Sequence, residues 1–313
     1  ESATCRYSTT AGTAYSLMPN TFSITGGTSH STGVTGLTSG STYNYYVRCQ
    51  DTAGNANTND FTISFSVATT TGPVYYVDRN HPSCSDTNPG TSESAPWCTL
   101  VRAMSAVAGD TVYVKSGTYS ESNTMIYNLF PAVRPVNSGQ PGSPIAFRVY
   151  PGHSVTLGVS INGGTGNNYI VWDGFTVAPG QMILMYGGNP QAPITGVVIE
   201  NCIAQIGGIP EPAGGGTYNS IFLQNVLDSV IRNCVIRNTF YTNSRFENAA
   251  AIMTYGATNL IIEHNEFYNN NVAIFDKSAG RNNVFRYNFI HDSYSAAILI
   301  GGIGCDAPVV CGG

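Results

Sequence analysis

The sequence predicts an all-β chain in which a small antiparallel module precedes a solenoid of stacked parallel strands, and three observations support that reading. The first is a short pattern that recurs five times: Ile170-Val171-Trp172-Asp173-Gly174-Phe175, Val198-Ile199-Glu200-Asn201-Cys202-Ile203, Val230-Ile231-Arg232-Asn233-Cys234-Val235, Ile261-Ile262-Glu263-His264-Asn265-Glu266 and Val284-Phe285-Arg286-Tyr287-Asn288-Phe289. Its fifth residues, Gly174, Cys202, Cys234, Asn265 and Asn288, are spaced 28, 32, 31 and 23 residues apart. That is the period of a solenoid repeat, too short to bury its own apolar face and therefore obliged to stack. The second is a companion column that opens at Ile221, Ile252, Ile274 and Ile298 and precedes the next copy of the pattern by 9 or 10 residues. Two short β-branched stretches per repeat, bounded by Asn and Gly, read as strands. The third is charge. Glu200, Arg232, Glu263 and Arg286 occupy equivalent positions with alternating sign. In register they form a surface file of opposite charges, each pair worth about 0.2–1 kcal/mol. That role removes Glu200 and Glu263 from any set of catalytic acids. Asn265 then lies over Asn288 as the start of an asparagine ladder.

Composition narrows the class. Of 313 residues only 10% are charged, while Gly (35) and Tyr (19) are abundant, the balance of an extracellular β protein. A net charge of −5 with 13 basic residues offers no basic patch for nucleic acid. No apolar run reaches the length of a membrane span. The eight cysteines fall into local pairs, Cys5 with Cys49, Cys84 with Cys98, Cys202 with Cys234 and Cys305 with Cys311, which suggests disulfides and an oxidising compartment. Zinc is the rival, and it lacks a Cys-x-x-Cys or a nearby His cluster. Cys202 and Cys234, stacked in adjacent coils, also fit as reduced core residues.

Taken in order, residues 1–68 carry four strand-like stretches, Cys5 to Ser8, Ser31 to Leu37, Tyr43 to Gln50 and Phe61 to Val67. Leu37-Thr38-Ser39-Gly40-Ser41-Thr42-Tyr43 resembles the turn and tyrosine corner of fibronectin type III domains. The resemblance implies an immunoglobulin-like sandwich that is incomplete here, with an open edge. Residues 69–73 read as a linker. Leu100, Val101, Met104 and Val107 have helical spacing, so residues 100–107 are expected as a helix capping one end of the solenoid. Gly109-Asp110-Thr111-Val112-Tyr113-Val114 turns into the first coil.

The cap helix, the Gly-Asp-Thr-Val-Tyr-Val segment, the Asp173-Gly174-Phe175 strand and the Asn-centred repeats resemble the secreted right-handed parallel β-helix proteins of the pectate-lyase-like superfamily. The resemblance covers 74–313 and implies that fold. It leaves function open among polysaccharide lyases, glycosidases, epimerases, tailspikes and adhesins. The incomplete sandwich and a C-terminal end without a cap are expected either of a fragment of a longer polypeptide or of a subunit completed by its neighbours in a head-to-tail fibre.

For an enzyme, the resemblance directs attention to Asp276, Lys277 and Arg281. A polysaccharide lyase needs a cation, Ca²⁺ or arginine, to neutralise a uronate, and a base to remove the adjacent proton. Ile274-Phe275-Asp276-Lys277-Ser278 faintly resembles the lysine-bearing coil of alginate and chondroitin lyases, without the arginine coil and acidic calcium ligands expected beside it. Ordinary solvated charges are the competing reading. No cofactor is otherwise evident, and His264 and His291 lack metal-ligand partners. Arg245 with Glu247 reads as a surface ion pair, and no spacing favours Asp276 with Asp292 as paired glycosidase acids. Tyr218, Phe240, Tyr241, Phe246 and Tyr255 supply an aromatic lining able to stack on sugar rings or to cover the coil beneath. The expectation is an extracellular structural or adhesive protein contacting polysaccharide, with a lyase or hydrolase on acidic polysaccharide as the alternative.

Overall fold

The computed structural model describes residues 2–34, 37, 41–67, 72–210, 218–244, 248–278 and 280–301. The chain divides into two compact units, Glu1–Thr70 and Thr71–Gly313. Cys305, Cys311, Phe246, Arg245, Glu247 and most of the linker lie outside the described residues.

In the first unit, Ala3–Ser8, Asn20–Thr21, Thr42–Asp51 and Phe61–Ser66 make one antiparallel sheet. Cys5 stands directly opposite Cys49 on neighbouring strands, and the two are joined. The expected strand at 31–37 gives only an isolated bridge, Ser31 to Ile24, among its described residues. Gly33 has nothing around it to pack against and offers no side chain, which weakens a strand.

The second unit is a right-handed parallel β-helix with three strands per coil. A first sheet stacks Val74–Val77, Thr111–Val114, Ile145–Val149, Ile170–Asp173, Val198–Glu200, Val230–Arg232, Ile261–Glu263 and Val284–Arg286. A second sheet stacks Gly117–Tyr119, Val155–Leu157, Phe175–Val177, Ile203–Ala204, Val235–Arg237, Glu266–Tyr268 and Phe289–Ile290. A third holds Thr124–Ile126, Phe130–Val133, Ser160–Gly164, Ile183–Tyr186, Ile221–Gln224, Ala250–Tyr255, Val272–Lys277 and Ala296–Ile300. Apart from the antiparallel pair at the start of the third sheet, neighbours within these sheets are parallel. Parallel crossovers of this kind are right-handed because the twist of the strand leads the chain that way. The second sheet is missing from the two-strand reading because its strands, two or three residues long, are too short to show a period of two.

Inward side chains fill the coil. Ile161, Ile183, Ile221, Ile252, Ile274 and Ile298 stack in register, and the isoleucines from Ile161 to Ile274 are fully buried. Trp172 stacks on Phe147 at 4.6 Å and meets Phe175 edge-on at 5.7 Å. At the N-terminal end the helix is a single turn, Leu100–Ala103, shorter than the expected 100–107. Thr99 caps it by accepting from the Arg102 N–H at 3.2 Å. Asp110 then ends the run by accepting the Val107 N–H at 2.8 Å, leaving Val107 52% exposed while Leu100, Ala103 and Met104 are buried.

The register of the first repeat differs from the alignment by one residue. Val171, not Ile170, opposes Val198, and Asp173 opposes Glu200. Gly174 therefore belongs with Asn201, Asn233, His264 and Tyr287, a column in which every residue has φ between 54° and 87°. These residues make the left-handed turn between the first and second sheets, a conformation that glycine and asparagine accept most readily. The inward column beside it runs from Phe175 through Cys202, Cys234 and Asn265 to Asn288, following the register of the flanking strands.

That inward column is a ladder of side chain to backbone bonds. Asn288 Oδ1 accepts from both the Asn265 N–H and its Nδ2, at 3.0 Å each, and Asn265 Oδ1 accepts the Cys234 N–H at 2.9 Å. One coil earlier the Cys234 sulfur takes over as acceptor for the Cys202 N–H at 3.4 Å. This corrects the expected Cys202–Cys234 disulfide: both thiols are free and buried. Each Sγ points back to the carbonyls of its own turn, Cys202 to Glu200 and Cys234 to Arg232, at 3.2 Å in both cases. Cys84–Cys98, like Cys5–Cys49, is formed.

The charge file is in register and longer than the sequence suggested: Arg148, Asp173, Glu200, Arg232, Glu263 and Arg286 stand on successive rungs. Glu200 pairs with Arg232 at 2.6 Å and with Arg148 at 3.4 Å, Arg148 also pairs with Asp173, and Glu263 pairs with Arg286 at 2.7 Å.

Asn265→Ala removes the acceptor of a buried N–H and is expected to cost about 1–3 kcal/mol, measured by urea unfolding; an unchanged midpoint would show that the ladder contributes nothing. In a Cys305→Ser, Cys311→Ser background, Cys202 and Cys234 are expected to resist a thiol reagent until the protein is unfolded. The Cys202 thiol is held well above its ordinary titration range, first by its hydrogen bond with Cys234 and then by burial.

Candidate functional site

The outward face of the third sheet presents two parallel columns with opposite character. Leu184, Phe222, Met253, Phe275 and Leu299 form the first, in register rung by rung. From Leu184 to Phe275 they are at most 8% exposed although they point away from the coil interior. They make a second apolar cluster together with Ile206, Ala250 and Val272, with Tyr218 packed against it. Tyr218 meets Phe130 edge-on at 5.3 Å, and its N–H donates to the hydroxyl of the buried Tyr241 at 3.3 Å. Both tyrosines cover the coil beneath them.

Gly164, Tyr186, Gln224, Tyr255 and Lys277 form the second column, again on successive rungs. Tyr186 is 40% exposed, and Gln224, Tyr255 and Lys277 are half-buried. The Lys277 ammonium donates to Asn248 Oδ1 at 3.1 Å and lies 5.3 Å from the Tyr255 ring centre and 5.5 Å from that of Phe275. Among the described residues no carboxylate pairs with it. The column thus offers two aromatic rings, a carboxamide and a cation in a line.

Asp276 is turned the other way, since successive strand residues face opposite sides of a sheet. Its Oδ1 accepts from the buried Thr254 hydroxyl at 2.6 Å and its Oδ2 from Asn283 Nδ2 at 3.0 Å. Arg281 is exposed on a turn, its backbone bridged to Thr258. The three residues singled out for lyase chemistry therefore do not converge. Phe240 lines a cleft of about 430 Å³ with Tyr241, Thr242, Asn243, Ser244 and Tyr294, and meets Tyr294 edge-on at 5.7 Å. His264 stacks on Tyr287 at 5.0 Å. His291 lies 2.8 Å from Asp292 Oδ2 and 3.4 Å from Glu266 Oε1, and these carboxylates raise its pKa, Asp292 most. Cys5, His30 and Cys49 sit close enough to suit a metal, but the two sulfurs are already bonded to each other.

With this geometry in place, the chain can be set beside known proteins. A family model described as "Protein of unknown function (DUF1565)" matches residues 83–307. The chain belongs to that family. No curated protein matches it. Solved structures that resemble it include XylC in complex with xylose (13% identity, TM-score 0.42, 72% of this chain and 65% of that one). A rhamnogalacturonan lyase gives 18% identity and a TM-score of 0.35 over 76% of this chain and 64% of the other. A family 28 exopolygalacturonase from Yersinia enterocolitica gives 12% and 0.39 over 87% and 68%. The chain spans about two thirds of the length of the first two.

Within the DUF1565 segment, three members of the candidate site escaped the sequence reading. Tyr186 and Gln224 extend the column of Tyr255 and Lys277, and Asn248 orients the ammonium. Gln224 ends the same strand pattern that flagged Lys277, so it was within reach. Tyr186 lies 38 residues before Gln224, a gap lengthened by the loop between them, and Asn248 belongs to a loop with no period.

Asp276→Ala is expected to destabilise by about 1–3 kcal/mol by orphaning the Thr254 hydroxyl, whereas Lys277→Ala is expected to stay within about 0.5 kcal/mol of the parent. Equal costs in thermal melts would contradict this division of roles.

Proposed function

We propose that the β-helix is the glycan-binding part of a secreted protein, and that the sugar chain lies along Tyr186, Gln224, Tyr255 and Lys277. The observation that carries this reading is the Lys277 ammonium, held by Asn248 and Tyr255 at one end of a line of outward aromatic and amide groups and paired with no carboxylate among the described residues. Tyrosine rings stack on the apolar faces of pyranoses, and the carboxamide and ammonium donate to hydroxyls or carboxylates. The two disulfides support an oxidising destination, and no helix of the described residues is long and apolar enough to cross a membrane. The first unit is read as an accessory fibronectin-like module.

Binding is favoured over lyase chemistry for a physical reason. Lys277 acts toward Asn248 as a donor and toward Tyr255 as a cation, whereas a general base needs a free lone pair aimed at the substrate proton. The head-to-tail fibre has no support among the described residues and is not part of the proposal.

Affinity electrophoresis in pectin, alginate and chondroitin sulfate gels is expected to retard the parent protein in at least one of them. Lys277→Ala and Tyr255→Ala are each expected to weaken retardation about tenfold. Unsaturated products lost in Lys277→Ala would establish the lyase instead, and no retardation in any gel would remove the glycan reading.

A further inference from the structure

A second cation with no counter-ion among the described residues stands at the other end of the same line. Arg134 follows the third-sheet strand Phe130–Val133 and lines a cleft of about 400 Å³ with Asn123, Thr124, Val136, Thr165 and Asn167. Its backbone is held at both polar groups by Asn123, which accepts the Arg134 N–H at 2.8 Å and donates to its carbonyl at 2.9 Å. Its guanidinium is held by Asn167, 3% exposed, whose Oδ1 accepts from Nε at 3.0 Å. The Asn167 side chain is in turn fixed by the Gly164 N–H at 2.9 Å and the Pro135 carbonyl at 2.7 Å. Nη2 makes only a long contact of 3.4 Å to the Thr165 carbonyl, and Nη1 has no partner among the described residues. Arg148, Arg232 and Arg286 each have a carboxylate; Arg134 has none among the described residues. A guanidinium positioned by a buried amide, with its outer edge unused among the described residues, is prepared for an oxyanion.

Gly164 ties this cleft to the column. A β-carbon on Gly164 would collide with the Arg134 guanidinium, so the guanidinium occupies the place of the missing side chain on that rung. Gly164 is in register with Tyr186, and from there Gln224, Tyr255 and Lys277 follow. Four steps of about 4.8 Å place the two cations about 19 Å apart.

We propose that the Arg134 cleft is a carboxylate subsite, and that the ligand of the column is an acidic oligosaccharide of at least four sugars whose uronate groups meet Arg134 at one end and Lys277 at the other. This rests on the glycan-binding reading of the column and adds to it the charge of the ligand, its length and the residue that selects it. The planar fork of Arg134 suits a carboxylate, which accepts two parallel N–H bonds, and Thr124 and Asn123 stand beside it to meet ring hydroxyls.

The test is calorimetric titration at low salt of the parent, Arg134→Gln, Gly164→Ala and Lys277→Gln proteins with tetragalacturonate and with a neutral tetrasaccharide, together with free galacturonate and inorganic sulfate followed by NMR at the Arg134 side chain. The expected result is about tenfold weaker tetragalacturonate binding in Arg134→Gln. Gly164→Ala, which displaces the guanidinium and leaves the rest of the column alone, is expected to lose as much with an unchanged melting temperature. Neutral tetrasaccharide binding should be the same in Arg134→Gln as in the parent, and galacturonate should shift the Arg134 signals more strongly than sulfate does. Parent-like tetragalacturonate binding in Arg134→Gln, with binding lost in Lys277→Gln, would overturn the subsite and leave the column reading intact. Parent protein that ignores tetragalacturonate while galacturonate still shifts Arg134 would sink the column reading and keep the subsite. Sulfate shifting Arg134 more than galacturonate would overturn the carboxylate assignment.

Discussion

From Cys202 onward, the second unit depends on one side chain per coil satisfying the backbone of the coil before it. At the corner between the first and second sheets, from Gly174 to Tyr287, the chain turns through a single left-handed residue, and the next residue points inward. Asn265, Asn288 and Cys234 each place an acceptor on the N–H of the rung below. A buried turn leaves polar groups that no water can reach, and such groups are costly when unpaired. The ladder removes that cost and at the same time fixes the register, because a slip by one residue would turn every acceptor away from its donor.

A fixed register explains why the outer surface is so ordered. On the first sheet it lines up Arg148, Asp173, Glu200, Arg232, Glu263 and Arg286 into a file of mostly complementary charges. On the third sheet it sorts outward residues into two columns of different fate. The apolar column from Leu184 to Leu299 is covered by Tyr218, Ile206 and their neighbours, and the column from Gly164 to Lys277 keeps polar and aromatic groups at the surface. A loop-covered column beside an open one gives the sheet a shelf on which an extended ligand can lie, and at its two ends stand Arg134 and Lys277, neither with a carboxylate partner among the described residues.

The sequence made the inward columns legible because they repeat. Ile221, Ile252, Ile274 and Ile298 were aligned correctly, and so were the rungs from Val198 onward. The first copy was misread because Gly174 looked equivalent to Cys202 by spacing, whereas its backbone angle places it with Asn201. The second sheet was invisible, its strands being too short to show alternation. At the site, Lys277 stood out through the resemblance of its strand to a lysine-bearing lyase coil, and Tyr255 as one of a set of aromatics. Asp276 was grouped with Lys277 as its neighbour in sequence, but adjacent strand residues face opposite ways, and the structure gives Asp276 to Thr254 and Asn283. Arg134 carried no signal at all: its meaning comes from Gly164 and Asn167, thirty or more residues away.

The central claim is that the third-sheet rungs stand in the stated register, so that the open column is a continuous line. Pairing Gln224→Cys with Tyr255→Cys tests it most directly, because these positions face each other about 4.8 Å apart on the same side of the sheet. Mild oxidation followed by peptide mass mapping is predicted to give a 224–255 cross-link, with none in the offset pair Gln224→Cys with Thr254→Cys. Cross-linking of the offset pair with none between 224 and 255 would contradict the register, and with it the line from Arg134 to Lys277.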